Sequence, residues 1–184
     1  MLVQVYHGSN NFDPRPGYKG GKPNSYQYGI GLYCTNSYTW AANYGRRQYL
    51  LTLDLDDSKA AHNVEIAICT LQSWVNAFCT KKLATLFKKE FQYRDTMSVE
   101  RFEIFLLWNI KSMNKLAMPL ANFFAHNGCT HSIESGSYGG RLVRLFDFDC
   151  IKASAYDKAT LKAAGYADTA IPNEIDRYKK VLTE

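Results

Sequence analysis

Two glycine-flanked segments constrain the fold of this chain more than any other feature. They are Val-Tyr-His-Gly-Ser at positions 5 to 9 and Gly-Ile-Gly-Leu-Tyr-Cys-Thr-Asn-Ser-Tyr-Thr-Trp-Ala-Ala-Asn-Tyr-Gly at positions 29 to 45. The first ends a short alternating strand over residues 2 to 6, with Val3 and Val5, on a histidine followed by Gly-Ser. The second predicts a strand from Leu32 to Thr35, an N-cap at Asn36 or Ser37, and a helix from about 38 to 45. Tyr33 then lies on a strand, and Tyr44, 11 residues later, ends the helix that follows. Residues 10 to 28, between the two segments, are rich in Gly, Pro, Asn and Tyr. An irregular loop of that length inside a compact domain is functional or disordered.

Beyond position 48, Tyr49, Leu51, Leu53 and Leu55 alternate, which predicts a half-buried strand ending at Asp56-Asp57. From about 63 to 90 the apolar residues recur at helical spacing: Ile66, Leu71, Trp74, Val75, Phe78, Leu83, Leu86 and Phe87. Ser98 caps a second helix reaching Met113, with Phe102, Phe105, Leu106 and Ile110 on one face. Residues 116 to 127 form a third helix, closed by Asn127-Gly128. A strand near 129 to 133, a turn with Gly136, Gly139 and Gly140, a strand from Leu142 to Phe148 and a polar helical tail from 157 complete the reading. Strands that bracket a helical middle imply one α+β domain of 184 residues rather than alternating βαβ units.

Composition removes several function classes. No stretch approaches the roughly 20 apolar residues of a membrane span. The start, Met-Leu-Val-Gln-Val-Tyr, lacks a charged region and a cleavage site, so no secretory signal is expected. Five cysteines (Cys34, Cys69, Cys79, Cys129 and Cys150) contain no CxxC pair, which argues for reduced thiols in a cytosolic compartment and against a zinc site. Four dispersed histidines suggest no metal cluster. The formal charge of +5 is compatible with an anionic cofactor or a nucleic acid without requiring either.

Three residues stand out chemically. His7, at a strand end before Gly8, offers a ring nitrogen and backbone groups pointing one way, and a glycine there lets a flat ligand approach closely. Tyr33 and Tyr44 flank one cleft and could stack on a planar ring. Each also has a bland explanation. Taken alone, His7 reads first as a satisfied turn histidine, and either tyrosine as core packing in a chain with 13 of them. Lys81, Lys82, Lys88 and Lys89, interleaved with Phe87 and Phe91, make either a partner or nucleic-acid face or a solvated helix with a buried aromatic stripe.

In combination, His7-Gly8-Ser9, Gly29-x-Gly31-Leu32-Tyr33 and Ala41-Ala42-Asn43-Tyr44 resemble the poly(ADP-ribose) polymerase-like branch of the ADP-ribosyltransferases. That branch carries a His-Gly-Ser/Thr turn, a Gly-x-Gly-Ile-Tyr-Phe strand and a helix ending Ser-Ala-Asn-Tyr. Short phage and bacterial proteins that start Tyr-His-Gly-Ser also look similar. Residues 121 to 133 resemble the helix, glycine and strand before the last catalytic strand of bacterial relatives. Leu145-Phe146-Asp147-Phe148-Asp149-Cys150-Ile151 looks like their closing strand. The resemblance spans residues 3 to 55 and, more weakly, 121 to 152.

The resemblance implies a split, mostly antiparallel β-core with a helical insertion at about 60–118. It implies NAD⁺ as co-substrate and mono-ADP-ribosylation of a macromolecule, a protein before a nucleic acid, in the cytoplasm of the producing or the target cell. A toxin, an effector and a phage counter-defence protein all share this pattern. Carried over, Gly8 holds the nicotinamide carboxamide, His7 a ribose hydroxyl, Tyr44 stacks on nicotinamide and Tyr33 closes the other side. Ser9, Asn11 and Arg15 would face adenosine and pyrophosphate, with Arg15 as a phosphate partner by its charge. Two positions depart from the pattern. Ala41 stands where a serine usually donates to the amide, a loss of about 1 kcal/mol. Leu142 stands where the catalytic glutamate is usual, with Glu134, expected in the preceding loop, as a carboxylate that could swing in. The other readings are a catalytically silent module binding NAD⁺, ADP-ribose or a partner, and an NAD⁺ glycohydrolase.

Overall fold

The computed structural model describes residues 1–9, 30–45, 47–135 and 141–155. Its strands are β1 (Leu2–Ser9), β2 (Leu32–Thr35), β3 (Arg47–Asp54), β4 (Glu65–Ala67), β5 (Thr96–Ser98), β6 (His131–Ser135), β7 (Arg141–Leu145) and β8 (Ile151–Ala155). Its helices are α1 (Tyr38–Ala42), α2 (Ile68–Phe78), α3 (Lys81–Phe91), α4 (Val99–Asn109) and α5 (Ala117–His126), with 3₁₀ turns at Asp57–Lys59 and Phe148–Cys150. Six strands make an antiparallel sheet in the order β6-β7-β2-β1-β3-β8, and β4 pairs only with β5. The fold is α+β, as the strand-bracketed helical middle predicts.

The centre of the sheet follows from the apolar alternation. All 8 residues of β1 pair with β3, from Leu2 against Asp54 to Ser9 against Arg47. The register sets Val3 opposite Leu53 and Val5 opposite Leu51, and all four are buried in the core. Burying such side chains stabilises by roughly 1.5–3 kcal/mol each. On its other side β1 behaves differently: it meets β2 through one residue pair, Tyr6 with Thr35. The sheet therefore consists of two blocks, β6-β7-β2 and β1-β3-β8, which part just beyond Tyr6. β7 holds β2 over its full length, from Leu32 against Leu145 to Thr35 against Leu142.

The helical middle packs onto this sheet. Trp74 of α2, Phe87 of α3, Phe102 and Phe105 of α4, and Phe123 and Phe124 of α5 form a chain of mostly edge-to-face ring contacts that reaches Phe146. The same apolar cluster contains Val3, Val5, Leu51 and Leu53, so sheet and helices share one core. Such ring pairs contribute about 0.5–1.5 kcal/mol each beyond burial. The expected helical run from 63 to 90 is a short strand and two helices. It breaks at Cys79-Thr80, where Thr80 caps α3 through its hydroxyl to the Leu83 N–H at 3.3 Å. The helix expected to reach Met113 stops at Asn109. β8 was not expected, because Ile-Lys-Ala-Ser-Ala has little β propensity; it is formed by pairing with the edge of β3. The glycine turn at 136–140, the tail from 157, and Asn11 and Arg15 lie outside the described residues. No helix among the described residues is long and apolar enough to cross a membrane.

Candidate functional site

Where β1 and β2 part, His7 bridges the opening. Its Nδ1 lies 2.7 Å from the Tyr33 carbonyl oxygen. A carbonyl only accepts, so Nδ1 carries the proton and the neutral ring's acceptor lone pair is on Nε2. The ring is nearly buried and tilts against Tyr49, its partner across β1 and β3, with centroids 6.5 Å apart. Burial pushes the His7 pKa below its ordinary value, against the smaller upward pull of the Tyr33 carbonyl. The imidazole is therefore neutral at physiological pH.

Gly8 has a different neighbour from the one its sequence context suggests. A Cβ at this position would overlap the Ala41 carbonyl oxygen at the end of α1. On the side where a side chain would project, the glycine admits a helix end rather than a flat ligand. Gly45 repeats the device, since a Cβ there would overlap the backbone of Ser9. Ser37 caps α1, its hydroxyl accepting from the Trp40 N–H at 3.4 Å, while Asn36 instead accepts from the Arg141 N–H at 2.8 Å. The helix stops at Ala42, earlier than expected, because the chain must reverse into β3 over this tight glycine contact. Tyr44 thus stands in the turn after α1. Its Cβ is 3.3 Å from where a Gly8 Cβ would be, its ring meets Trp40 edge-on at 6.3 Å, and 62% of it is exposed. It is not core packing.

His7 thus meets Tyr33 through that residue's backbone carbonyl, and the neighbouring Gly8 meets the Cβ of Tyr44. Ser9 is half-buried at the end of β1, opposite Arg47. Ala41 is buried in a small apolar cluster with Tyr6 and Leu50. Leu142 is buried on β7. Glu134 corrects an expectation: it lies on β6 and not in a loop, directly across from Leu142. Its Oε1 accepts from the Ser132 hydroxyl at 3.1 Å and from Arg144 Nη2. A fully buried guanidinium needs carboxylates around it, and this one holds Glu134 in place.

Arg144 and Glu103 are the polar pair that sequence reasoning missed. Arg144 Nη1 donates to Glu103 Oε1 and to the Ile30 carbonyl, each at 2.8 Å, and Nη2 donates to Ser132 Oγ at 3.0 Å. Burial pulls the guanidinium toward its neutral form, but the Glu103 and Glu134 carboxylates outweigh that and raise its pKa. A signal was present in the sequence. Each residue is one charge inside an apolar run: Leu-Val-Arg-Leu on β7 and Phe-Glu-Ile-Phe on α4. The α3 lysines Lys81, Lys82, Lys88 and Lys89 are exposed, whereas Phe87 and Phe91 face the core, so the aromatics are not interleaved on the surface. Among the described residues no group of His, Cys, Asp and Glu could hold a metal ion.

No protein-family model matches the chain. No curated protein matches it. Among solved structures it is similar to the crystal structure of an anti-CRISPR protein, at 16% identity and a TM-score of 0.38, over 79% of this chain and 90% of that one.

Proposed function

We propose that this chain is an NAD⁺-dependent mono-ADP-ribosyltransferase with an ADP-ribosyltransferase-type split antiparallel core, and that NAD⁺ is its co-substrate. The observation that carries this reading is the neutral His7 ring spanning the gap to the Tyr33 carbonyl, with the exposed Tyr44 ring beside Gly8. Beyond Tyr6, β1 has no β2 partner in register. We assign the Gly8 backbone there to the carboxamide, which needs one donor and one acceptor. His7 Nε2 accepts from a ribose hydroxyl, and the Tyr44 face stacks on a planar ring. The chemistry that NAD⁺ supplies is a labile C–N glycosidic bond, whose electron pair leaves with nicotinamide while an acceptor nucleophile bonds to C1′ and loses its proton. The task of the chain is orientation and charge stabilisation. The acceptor is a macromolecule, a protein before a nucleic acid.

Two observations favour a silent module that binds NAD⁺, ADP-ribose or a partner. Leu142 has no polar atom in its side chain, and Glu134 is tied to Arg144. One experiment separates the readings. The protein is incubated with NAD⁺ labelled in the adenylate part, with and without host lysate, beside His7→Ala. Label on a macromolecule supports the transferase, and free labelled ADP-ribose without transfer indicates hydrolysis. Binding without either product indicates the silent module. Absence of NAD⁺ binding by calorimetry sinks the reading.

A further inference from the structure

The ion pair between Glu103 and Arg144 is buried at both ends, and its cost calls for an explanation. Replacing such pairs by apolar residues of similar volume is often neutral or stabilising, so stability alone does not account for one. What this pair does that an apolar pair cannot is hold a backbone. The Ile30 N–H donates to Glu103 Oε1 at 2.7 Å, and the Ile30 carbonyl accepts from Arg144 Nη1 at 2.8 Å. Ile30 lies ahead of the β2 ladder, which begins at Leu32, so the ion pair provides what no strand neighbour among the described residues does there. Gly31 follows with φ +130, a backbone conformation that favours glycine, and a Cβ on it would stand 3.0 Å from the Arg144 Cβ. The entry into β2 is thus fixed from both sides. Two residues on, Tyr33 lies directly across from Arg144 and gives its carbonyl to His7.

We infer that Glu103 and Arg144 are positioning residues: by gripping both backbone groups of Ile30, the pair sets β2, and with it the Tyr33 carbonyl, against the His7 ring. That this matters to a cleft for NAD⁺ rests on the proposed function; the mechanical claim does not. Arg144 is suited to the task because each Nη proton has its own acceptor: Ile30, Glu103, Ser132 and Glu134. The guanidinium therefore ties α4 and β6 to one buried backbone residue just ahead of β2.

The test is Glu103→Gln, which keeps an oxygen for the Ile30 N–H but removes the charge that orients Arg144. Glu100→Gln, on the same helix and without a bond to Ile30, is the control. The readouts are the ¹⁵N shifts of the His7 ring, which report the tautomer fixed by Tyr33, and NAD⁺ binding by calorimetry. The expected result is a His7 signal moved toward a tautomer mixture in Glu103→Gln alone. With it comes a roughly ten- to hundred-fold weaker use of NAD⁺, the scale of a positional error of about 1 Å. If Glu103→Gln does not fold, Glu103→Asp keeps the charge but shortens the reach, and is read the same way. A His7 signal that matches wild type in a folded variant with a lowered melting temperature overturns the inference and leaves the pair as a structural prop. A moved His7 signal in a protein whose wild type binds no NAD⁺ supports the positioning claim and removes the proposed function instead.

Discussion

His7 and Tyr33 are joined side chain to backbone across the place where the sheet opens: the imidazole Nδ1 lies 2.7 Å from the Tyr33 carbonyl. This bond fixes the tautomer and aims Nε2. His7→Ala should therefore abolish or sharply weaken both NAD⁺ binding and label transfer. His7→Gln, which can restore one polar contact, should lose less. Equal affinity and equal transfer for wild type and His7→Ala would show that the opening is not the binding site.

Tyr44 is mostly exposed, with its ring nearly perpendicular to that of Trp40. Tyr44→Phe should keep most NAD⁺ affinity. Tyr44→Ala should lose a stacking contribution on the order of 1 kcal/mol, about fivefold in Kd. Calorimetry on the two variants decides the matter. Equal losses would mean that the hydroxyl and not the ring face makes the contact.

Gly8→Ala is expected to damage the fold and the site together, because the added methyl must displace the Ala41 carbonyl, which is backbone and cannot swing aside. Overpacking of this kind costs roughly 1–3 kcal/mol. A melting curve should show a drop of roughly 5 °C. An unchanged melting temperature would mean that α1 does not sit on β1 as described.

Much of this was legible in the sequence, and what escaped has physical causes. β1, β2 and β3 follow from period-two apolar patterns such as Tyr49, Leu51 and Leu53, which burial alone enforces. The caps Ser37, Thr80 and Ser98 follow from local hydrogen bonding, although apolar spacing that runs unbroken through Cys79 hides Thr80. β8 and the pairing of β4 with β5 depend on a distant strand, which no local window contains. The contact of His7 with the Tyr33 carbonyl is tertiary, and no local window contains it. The reason for Gly8 is not legible either, since nothing in the sequence says that Ala41 returns to it. Glu134 reads locally as a loop residue, because its pairing with β7 and its bond to Arg144 are both tertiary.

On the proposed function, transfer should stop at one ADP-ribose per acceptor site. Chain growth requires a group that takes the proton of an acceptor ribose hydroxyl, and Leu142 has none. Glu134 faces the same side of the sheet as Leu142 but lies one strand farther out, with Oε1 engaged by Arg144 and Ser132. Mass spectra of the modified acceptor should show one added unit per site; ladders of increasing mass would contradict this.

The last prediction concerns acid stability and needs no ligand. His131 is buried at the start of β6, with Nδ1 2.9 Å from the Thr130 hydroxyl. Burial, and next His62, push its pKa down to about 4 from an ordinary 6.5, while Asp57 and Asp56 pull weakly the other way. Between those two values the unfolded chain takes up a proton that the folded chain refuses. Stability from this group is therefore complete above about pH 6.5 and is lost as pH falls toward 4. The full shift corresponds to on the order of 3 kcal/mol. His7, depressed in the same direction, adds to the loss. Glu100, whose pKa is raised by burial, gains stability on protonation and opposes it. The comparison must therefore be made between variants. His131→Asn puts a non-titrating amide near the Nδ1 position, and its urea-unfolding free energy should fall less between pH 7.5 and pH 4.5 than that of wild type. Parallel pH slopes for the two proteins would mean that His131 is not held neutral in the folded state.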